Sequence, residues 1–141
     1  MTRIVAGSAK GRTLAVPKSG TRPTSERVRE ALFSRLDHMN VLDGTTVLDL
    51  YAGTGALGLE ALSRGSAHAT LVEKSSAAAR VASANVRSTG LPARVVTADA
   101  RSFLAARTGE ELRGDIDLVF IDPPYDIAED DMTTVLSCLG P

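Results

Sequence analysis

Val47-Leu48-Asp49-Leu50-Tyr51-Ala52-Gly53-Thr54-Gly55-Ala56-Leu57-Gly58 carries an apolar run through a pair of glycines into a helix-forming run, Ala56 to Leu62. That order predicts a strand, a tight turn and a helix start, the layout of a nucleotide-binding loop in an α/β sheet. Glycine at 53 and 55 lets the backbone bend sharply and approach a ligand where a Cβ would block it. Gly53-x-Gly55-x-x-Gly58 also satisfies the dinucleotide fingerprint, so the spacing alone leaves the cofactor open.

Asp49 narrows the choice. It stands at the carboxyl end of the strand, where its carboxylate faces whatever the loop holds. A pyrophosphate would be repelled there and a cationic ligand attracted. S-adenosylmethionine (SAM), with a sulfonium, an ammonium and no phosphate, suits such a position. A plainer role, bracing the N–H groups of the loop itself, is compatible with it.

Downstream, Ala69 to Glu73 reads as a second strand ending in an acid twenty residues past Gly53, the spacing at which a nucleotide fold sets a carboxylate on ribose hydroxyls. The alternative is a surface Glu73-Lys74 pair. An alanine-rich helix, Ser76 to Ser88, follows, with Gly90 beyond its end. Ala93 to Thr97 is a third strand. Asp99 and Ala100 after it suit either the exocyclic amine of an adenine or the cap of a short helix over Ser102 to Arg107.

Ile116 to Ile121 is the fourth strand and ends in Asp122-Pro123-Pro124-Tyr125. Two prolines stiffen the backbone and remove two donors, leaving carbonyls as acceptors. The Asp122 carboxylate adds another acceptor, and Tyr125 offers a flat face. Acceptors beside an aromatic plane are what holding a planar, amine-bearing group such as a nucleobase requires. A proline-stiffened loop with a packed tyrosine is the competing account. In a doubly wound sheet of order 3-2-1-4 the first and fourth strands are neighbours, so Asp49 to Gly55 and Asp122 to Tyr125 are expected to face each other across one crevice.

Upstream, Arg3 to Gly7 and Arg12 to Val16 flank Ser8-Ala9-Lys10-Gly11 and predict a β-hairpin closed by Pro17. A lone hairpin is marginal in water and must lean on something. Arg3, Lys10 and Arg12 would suit phosphate contacts, or would merely blunt an edge hairpin. Thr24 or Ser25 caps a predicted helix with Val28, Leu32 and Leu36 on its apolar face, Ala31 and Phe33 flanking it, and Arg27 and Arg29 leaving by other faces. Arg22 and Thr24 fall at its N-terminus, where polar or anionic ligands approach. A strand over Thr46 to Tyr51 follows the Asp43-Gly44 turn. Tyr51, at its end, is expected to pack rather than stack.

Composition sets the bounds. The 141 residues, 43% apolar and 23% charged, suit one globular domain. No apolar run approaches a bilayer span, and the N-terminus has no signal-peptide core, so a cytoplasmic protein is expected. Cys138 is the sole cysteine, which excludes an internal disulfide and a cysteine metal cluster. His38 and His68 lack zinc-ligand spacing, so no metal is expected. The net charge of −1 hides an asymmetry: residues 1–40 carry eight Lys/Arg against three Asp/Glu, and residues 41–141 carry eight against fourteen. A basic head on an acidic body suggests contact with a polyanion, although charged termini are often simply solvated.

With these residues in view, the chain resembles the class I SAM-dependent methyltransferases, and among them the bacterial small-subunit ribosomal RNA guanine-N2 methyltransferases of the RsmD family. The resemblance is carried by Arg3 to Gly7, Lys10-Gly11-Arg12, Arg22-Pro23-Thr24 with Arg27 to Phe33, Asp49 to Gly58, and Asp122 to Tyr125. It implies a Rossmann-like, mainly parallel sheet with helices on both faces and a small N-terminal β-hairpin: an arm over 1–20 and a methyltransferase domain over 21–141. It also implies methyl transfer from SAM to the exocyclic N2 of a guanine in 16S rRNA, within the small ribosomal subunit or an assembly intermediate, by a monomer. Asp49, Gly53 and Gly55 would then line the methionine half of SAM, Glu73 the ribose, and Asp99 with Ala100 the adenine. Tyr51, Thr54 and Lys74 complete the candidate cofactor residues. Asp122 and the Pro123 carbonyl would hold the amine, with Pro124 stiffening the turn and Tyr125 stacked on the base. Arg3, Lys10, Arg12, Arg22, Thr24 and Arg27 would contact RNA.

A complete fold of this class continues past the fourth strand, whereas here a short helix, about Glu129 to Leu139, precedes Pro141. C-terminal strands are therefore expected to be missing, as in a truncated chain, with the fourth strand an open edge. Two rival readings keep the glycine loop: an adenine-N6 type amine methyltransferase acting on other RNA or DNA, and an NAD-dependent oxidoreductase, which leaves Asp49 and Asp122 to Tyr125 without a task.

Overall fold

The sheet begins at β3 (Thr46–Leu50), which pairs in parallel with β4 (His68–Glu73) on one side and β6 (Leu118–Ile121) on the other; β5 (Ala93–Thr97) completes the order β5-β4-β3-β6. This is the expected 3-2-1-4 order. The computed structural model describes residues 2–16, 26–107 and 115–123. Arg22, Thr24, Ser25, Pro124, Tyr125 and the helix expected over 129–139 lie outside them.

Alternation along β3 sets the two faces. Val47 packs with Leu71 and Phe120 on one side, while Leu48 and Leu50 pack with Val72, Phe103 and Leu104 on the other. The first face is covered by α1 (Glu26–His38), α2 (Ala56–Ser63) and α3 (Ser76–Thr89), and the second by α4 (Ala100–Ala105). Helices on both faces of a parallel sheet follow from its right-handed crossovers. Ser75 caps α3 through the Ala78 N–H, and Gly90 ends it in a left-handed conformation, as its place in the sequence implied.

The N-terminal hairpin is shorter than expected. β1 (Thr2–Arg3) and β2 (Thr13–Leu14) pair antiparallel over two residues each. Ile4 still bonds across the hairpin, donating its N–H to the Arg12 carbonyl at 3.0 Å and accepting the Gly11 N–H on its carbonyl at 2.9 Å, but much of the backbone between is bonded to α2. Val5 and Ala6 donate to the Glu60 carboxylate at 2.9 and 3.1 Å. Ser8 N–H reaches the Ser63 carbonyl at 2.7 Å, and Ala9 N–H the Ser63 hydroxyl at 2.9 Å. Gly7 makes this approach possible: it has φ of 90°, and a Cβ there would stand 1.8 Å from the Ser63 carbonyl oxygen. Ile4, Ala9 and Leu14 join the same core as Leu59 and Leu71, so the arm leans on α2.

Helix α1 corrects the expected face. Val28 is 58% exposed, whereas Arg29 and Phe33 are fully buried and Leu32 and Leu36 pack partly against the core. The docked stripe is thus Arg29, Phe33 and Leu36, at i, i+4 and i+7. Arg29 turns inward because Glu60 waits there, its Oε1 3.2 Å from Arg29 Nε. Phe33 meets Phe120 of β6 with ring centroids 5.4 Å apart.

Candidate active site

Register places the strand tips together. Leu50 lies opposite both Val72 and Ile121, and Glu73 opposite Thr97. Tyr51, Glu73 and Asp122 therefore each stand one residue past the same sheet row, at the carboxyl ends where open α/β sheets bind ligands. The first and fourth strands of the sheet are neighbours, as expected, and the glycine loop and Asp122 leave their adjacent tips.

Asp49 is 1% exposed and points to the α2 face, where Oδ2 accepts the Gly58 N–H at 3.1 Å. Gly58 allows this, because α2 crosses so near the sheet that a Cβ at 58 would lie 2.3 Å from the Leu71 Cδ2. Asp49 Oδ1 is buried with no hydrogen-bond partner among the described residues. Burial pushes the Asp49 carboxyl up to about 8 against the opposing pull of the Gly58 N–H, and the charges of Asp122 and Glu73 raise it further. The bracing role is thus present in one oxygen, while the other is an unsatisfied acceptor in a crowd of acids. A cationic ligand answers both the orphaned acceptor and the charge, and a pyrophosphate would worsen both. The residues present fit SAM.

The loop itself is bent by left-handed residues: Tyr51 at φ 59°, Gly53 at 57° and Gly55 at 85°. For tyrosine that conformation costs on the order of 1–2 kcal/mol. The Ala52 N–H to the Val72 carbonyl (2.9 Å) and the Gly55 N–H to the Ala52 carbonyl (2.8 Å) hold the bend. The Tyr51 side chain packs partly buried against the Leu48 and Phe103 cluster, as expected. A Cβ built on Gly53 would meet nothing within 4 Å, so the loop is open at that residue.

Glu73, half-buried, accepts the Gly53 N–H on Oε1 at 2.8 Å and the Ser75 N–H on Oε2 at 2.7 Å. It braces the loop from the next strand, and each oxygen keeps a further lone pair. Lys74 is exposed. Asp99 caps α4 by accepting the Ser102 N–H at 3.2 Å, and Ala100 is buried in the second core cluster. Asp122 is exposed at the tip of β6, and Pro123 is half-buried beside it. Of the candidate RNA residues, Lys10, Arg12 and Arg27 are exposed, while Arg3, also exposed, has its Nε 3.6 Å from Glu26.

Two buried polar residues escaped the sequence reading. Glu60, mid-helix in α2, accepts from Val5 N, Ala6 N, Arg29 Nε and, at 2.9 Å, Arg64 Nε. Arg64 continues to Asp37 at 2.6 Å, and Arg29 Nη2 donates to the Arg3 carbonyl. Asn85, 2% exposed, donates to the Thr54 carbonyl at 2.9 Å and the Ala15 carbonyl at 3.0 Å, and accepts the Ala15 N–H at 2.7 Å. Each had a signal: an acid inside the apolar run Ala56-Leu57-Gly58-Leu59-Glu60-Ala61-Leu62, and an asparagine in register with Ala78 and Ala82 on the buried face of α3. Among the described residues no group of three His, Cys, Asp or Glu could hold a metal ion, and no helix is long and apolar enough to cross a membrane.

Comparison with known proteins agrees with this geometry. The family model described as Conserved hypothetical protein 95 matches residues 2–140. Ribosomal RNA small subunit methyltransferase D of Escherichia coli is 45% identical over 125 residues, covering 87% of this chain and 60% of the relative. The protein of the same name from Haemophilus influenzae is 36% identical over 127 residues, covering 87% and 63%. Among solved structures, a hypothetical protein from a Thermus species superposes with a TM-score of 0.85 at 38% identity, covering 98% of this chain and 78% of that one. The chain spans about 60% of the length of the first of these curated relatives. It belongs to the Conserved hypothetical protein 95 family, the RsmD family of ribosomal RNA small subunit methyltransferase D.

Proposed function

We propose that this chain binds SAM and transfers its methyl group to the exocyclic N2 of a guanine in 16S rRNA, acting on the small ribosomal subunit or an assembly intermediate in the bacterial cytoplasm. The observation that carries the reading is the pairing of two strand tips. Asp49, with an orphaned oxygen, stands beside the open Gly53 turn, and Asp122 ends the neighbouring strand one residue past the Leu50 and Ile121 row. Family membership supports the substrate, since relatives of the same family carry the name of a small-subunit rRNA methyltransferase.

SAM, when bound, supplies an electrophilic methyl on a positively charged sulfur. The residues of the chain do the rest. Asp49 contributes a buried counter-charge, and Glu73, already holding the Gly53 and Ser75 N–H groups, has lone pairs left for ribose hydroxyls. Asp122 and the Pro123 carbonyl accept the two hydrogens of the guanine amine. That matters because the amine lone pair is delocalised into the ring. Acceptors on its hydrogens favour a pyramidal nitrogen and stabilise the positive charge that develops there, and the crevice sets the nitrogen in line with the methyl. Tyr125 stacks on the base, and Lys10, Arg12, Arg22 and Arg27 contact RNA phosphates. Extruding the base costs about a few kcal/mol.

The test is methylation with labelled SAM against 16S rRNA, assembled small subunits, tRNA and DNA, with the product nucleoside identified by mass spectrometry. N2-methylguanosine in 16S rRNA is the expected product. N6-methyladenosine in any substrate, or binding of NAD in place of SAM by calorimetry, would replace this reading with one of its rivals.

A further inference from the structure

We propose that Asn85 is a positioning residue that ties the cofactor loop to the N-terminal arm, so that cofactor binding and arm-mediated RNA binding strengthen each other. The inference rests on reading Gly53 to Gly55 as the seat of the cofactor and the arm as an RNA contact, and it adds a coupling that neither assignment contains.

The geometry is a three-way junction. Thr54 sits at the tip of the loop between its two glycines, is 6% exposed, and gives its carbonyl to Asn85 Nδ2. The same amide nitrogen donates its other hydrogen to the Ala15 carbonyl, while Asn85 Oδ1 takes the Ala15 N–H. Ala15 follows β2 directly and belongs to the exposed end of the arm, with Arg12 three residues before it. One planar amide thus fixes both backbone groups of an arm residue and one of the loop.

No other residue type of this size does the same. The junction needs two donors and one acceptor from one side chain, which asparagine provides and aspartate, leucine or threonine do not. The junction is also local. The rest of the anchorage of the arm runs through Glu60 and Ser63 to residues 5–9, through Arg29 to the Arg3 carbonyl and through the buried Ile4, Ala9 and Leu14 side chains, while both backbone groups of Ala15 are held by Asn85. A ligand that stiffens the loop therefore stiffens Ala15, and an RNA that orders the arm orders Thr54. Whatever coupling the shared amide carries acts equally in both directions, by thermodynamic linkage.

The experiment measures 16S rRNA affinity of the full chain with and without saturating S-adenosylhomocysteine, a non-reacting product. The wild-type chain is expected to bind rRNA on the order of fivefold to tenfold more tightly when the product is bound. Asn85→Leu should bring that ratio to one, whereas Arg12→Ala should weaken rRNA binding and keep the ratio. A merely structural asparagine would change both affinities and leave the ratio alone, and that result overturns the proposal, as does a ratio of one in the wild type. Should Asn85→Leu fail to fold, hydrogen exchange of the Ala15 amide in the wild-type chain decides: S-adenosylhomocysteine should slow it about tenfold, and an unchanged rate overturns the proposal. A wild-type chain that binds neither S-adenosylhomocysteine nor rRNA would instead remove the function proposed above, and the coupling with it.

Discussion

Lowering the pH from 8 to 6 should weaken SAM binding through Asp49, gently from pH 8 to 7 and by roughly tenfold from pH 7 to 6. Its carboxyl is held near 8 in the folded chain by burial, with the charges of Asp122 and Glu73 adding to the rise, against an ordinary 3.8. At pH 7 about nine Asp49 carboxyls in ten are then protonated. A bound cation favours the ionised form, so binding at pH 7 should release about 0.9 protons, and affinity should rise with pH until the Asp49 midpoint is passed. Near pH 8 the ammonium of SAM itself, an α-amino group with a pKa of about 7.7–8.0, is about half titrated, so the profile should peak there. Calorimetry in buffers of different ionisation enthalpy reads the proton count directly. Asp49→Asn keeps an acceptor for the Gly58 N–H but has nothing to ionise. It should bind with no proton release and about 10 to 100 times more weakly at pH 8, the worth of one charge-assisted hydrogen bond. The same carboxyl also sets a stability trend of known sign. Because its folded value lies above its unfolded one, the folded chain keeps a proton the unfolded chain has lost, and stability should fall as pH rises from about 4 to about 8. A SAM affinity that is flat from pH 6 to 8, or a slope that survives in Asp49→Asn, would refute the placement of the cation against this carboxylate.

Three further outcomes are expected. Asp122→Ala should lower the methylation rate on the order of 100-fold with SAM affinity within about twofold at pH 8.5, since the proposed task of its carboxylate is on the amine; it should also move the Asp49 midpoint down, because one repelling charge is gone. Glu60→Gln leaves Arg29 and Arg64 buried or half-buried with an amide in place of a charge, and should cost about 3–5 kcal/mol in urea unfolding; a loss below about 1 kcal/mol would show that the network is not holding the fold. Gly7→Ala puts a methyl into the Ser63 carbonyl from a left-handed backbone, and should cost at least about 2 kcal/mol and expose the Val5 and Ala6 amides to hydrogen exchange; unchanged protection of those amides would mean the arm does not need that close approach.

How much of this was legible in the sequence divides along a physical line. Strands β3 to β6 and their order could be read because each is a short apolar run ended by a turn or an acid, a pattern set by burial on two faces. The placement of Asp49, Glu73 and Asp122 at or beside the carboxyl ends of neighbouring strands could be read because the order of such a sheet follows from its connections, whatever the side chains between them are doing. What could not be read was the partner of each buried charge. Val28, Leu32 and Leu36 form a stripe as apolar as any, and the expected face followed it. The docked face nevertheless turns by one residue to take in Arg29, because a carboxylate on another helix, thirty-one residues away, outweighs the exposure of one valine.

The same asymmetry explains the arm. A four-residue link between two alternating runs predicts a regular hairpin, and local chemistry says nothing against it. The backbone donors of Val5, Ala6, Ser8 and Ala9 were instead spoken for by Glu60 and Ser63, two polar positions on a helix whose neighbours are alanine, glycine and leucine. A carboxylate has four lone-pair sites, and Glu60 fills them from the arm, α1 and α2, which is the condition under which a buried charge is tolerated. Asn85 meets the same condition at the other end of the arm. A lone polar residue inside an apolar helical stripe therefore marks where a distant backbone must arrive, even though it does not say which one. Here both such residues receive the arm, and both lie on helices that flank the glycine loop. The arm is thus tied to the glycine loop, which is why a substitution at Asn85, on the helix that joins the two, is expected to be felt in the proposed cofactor site.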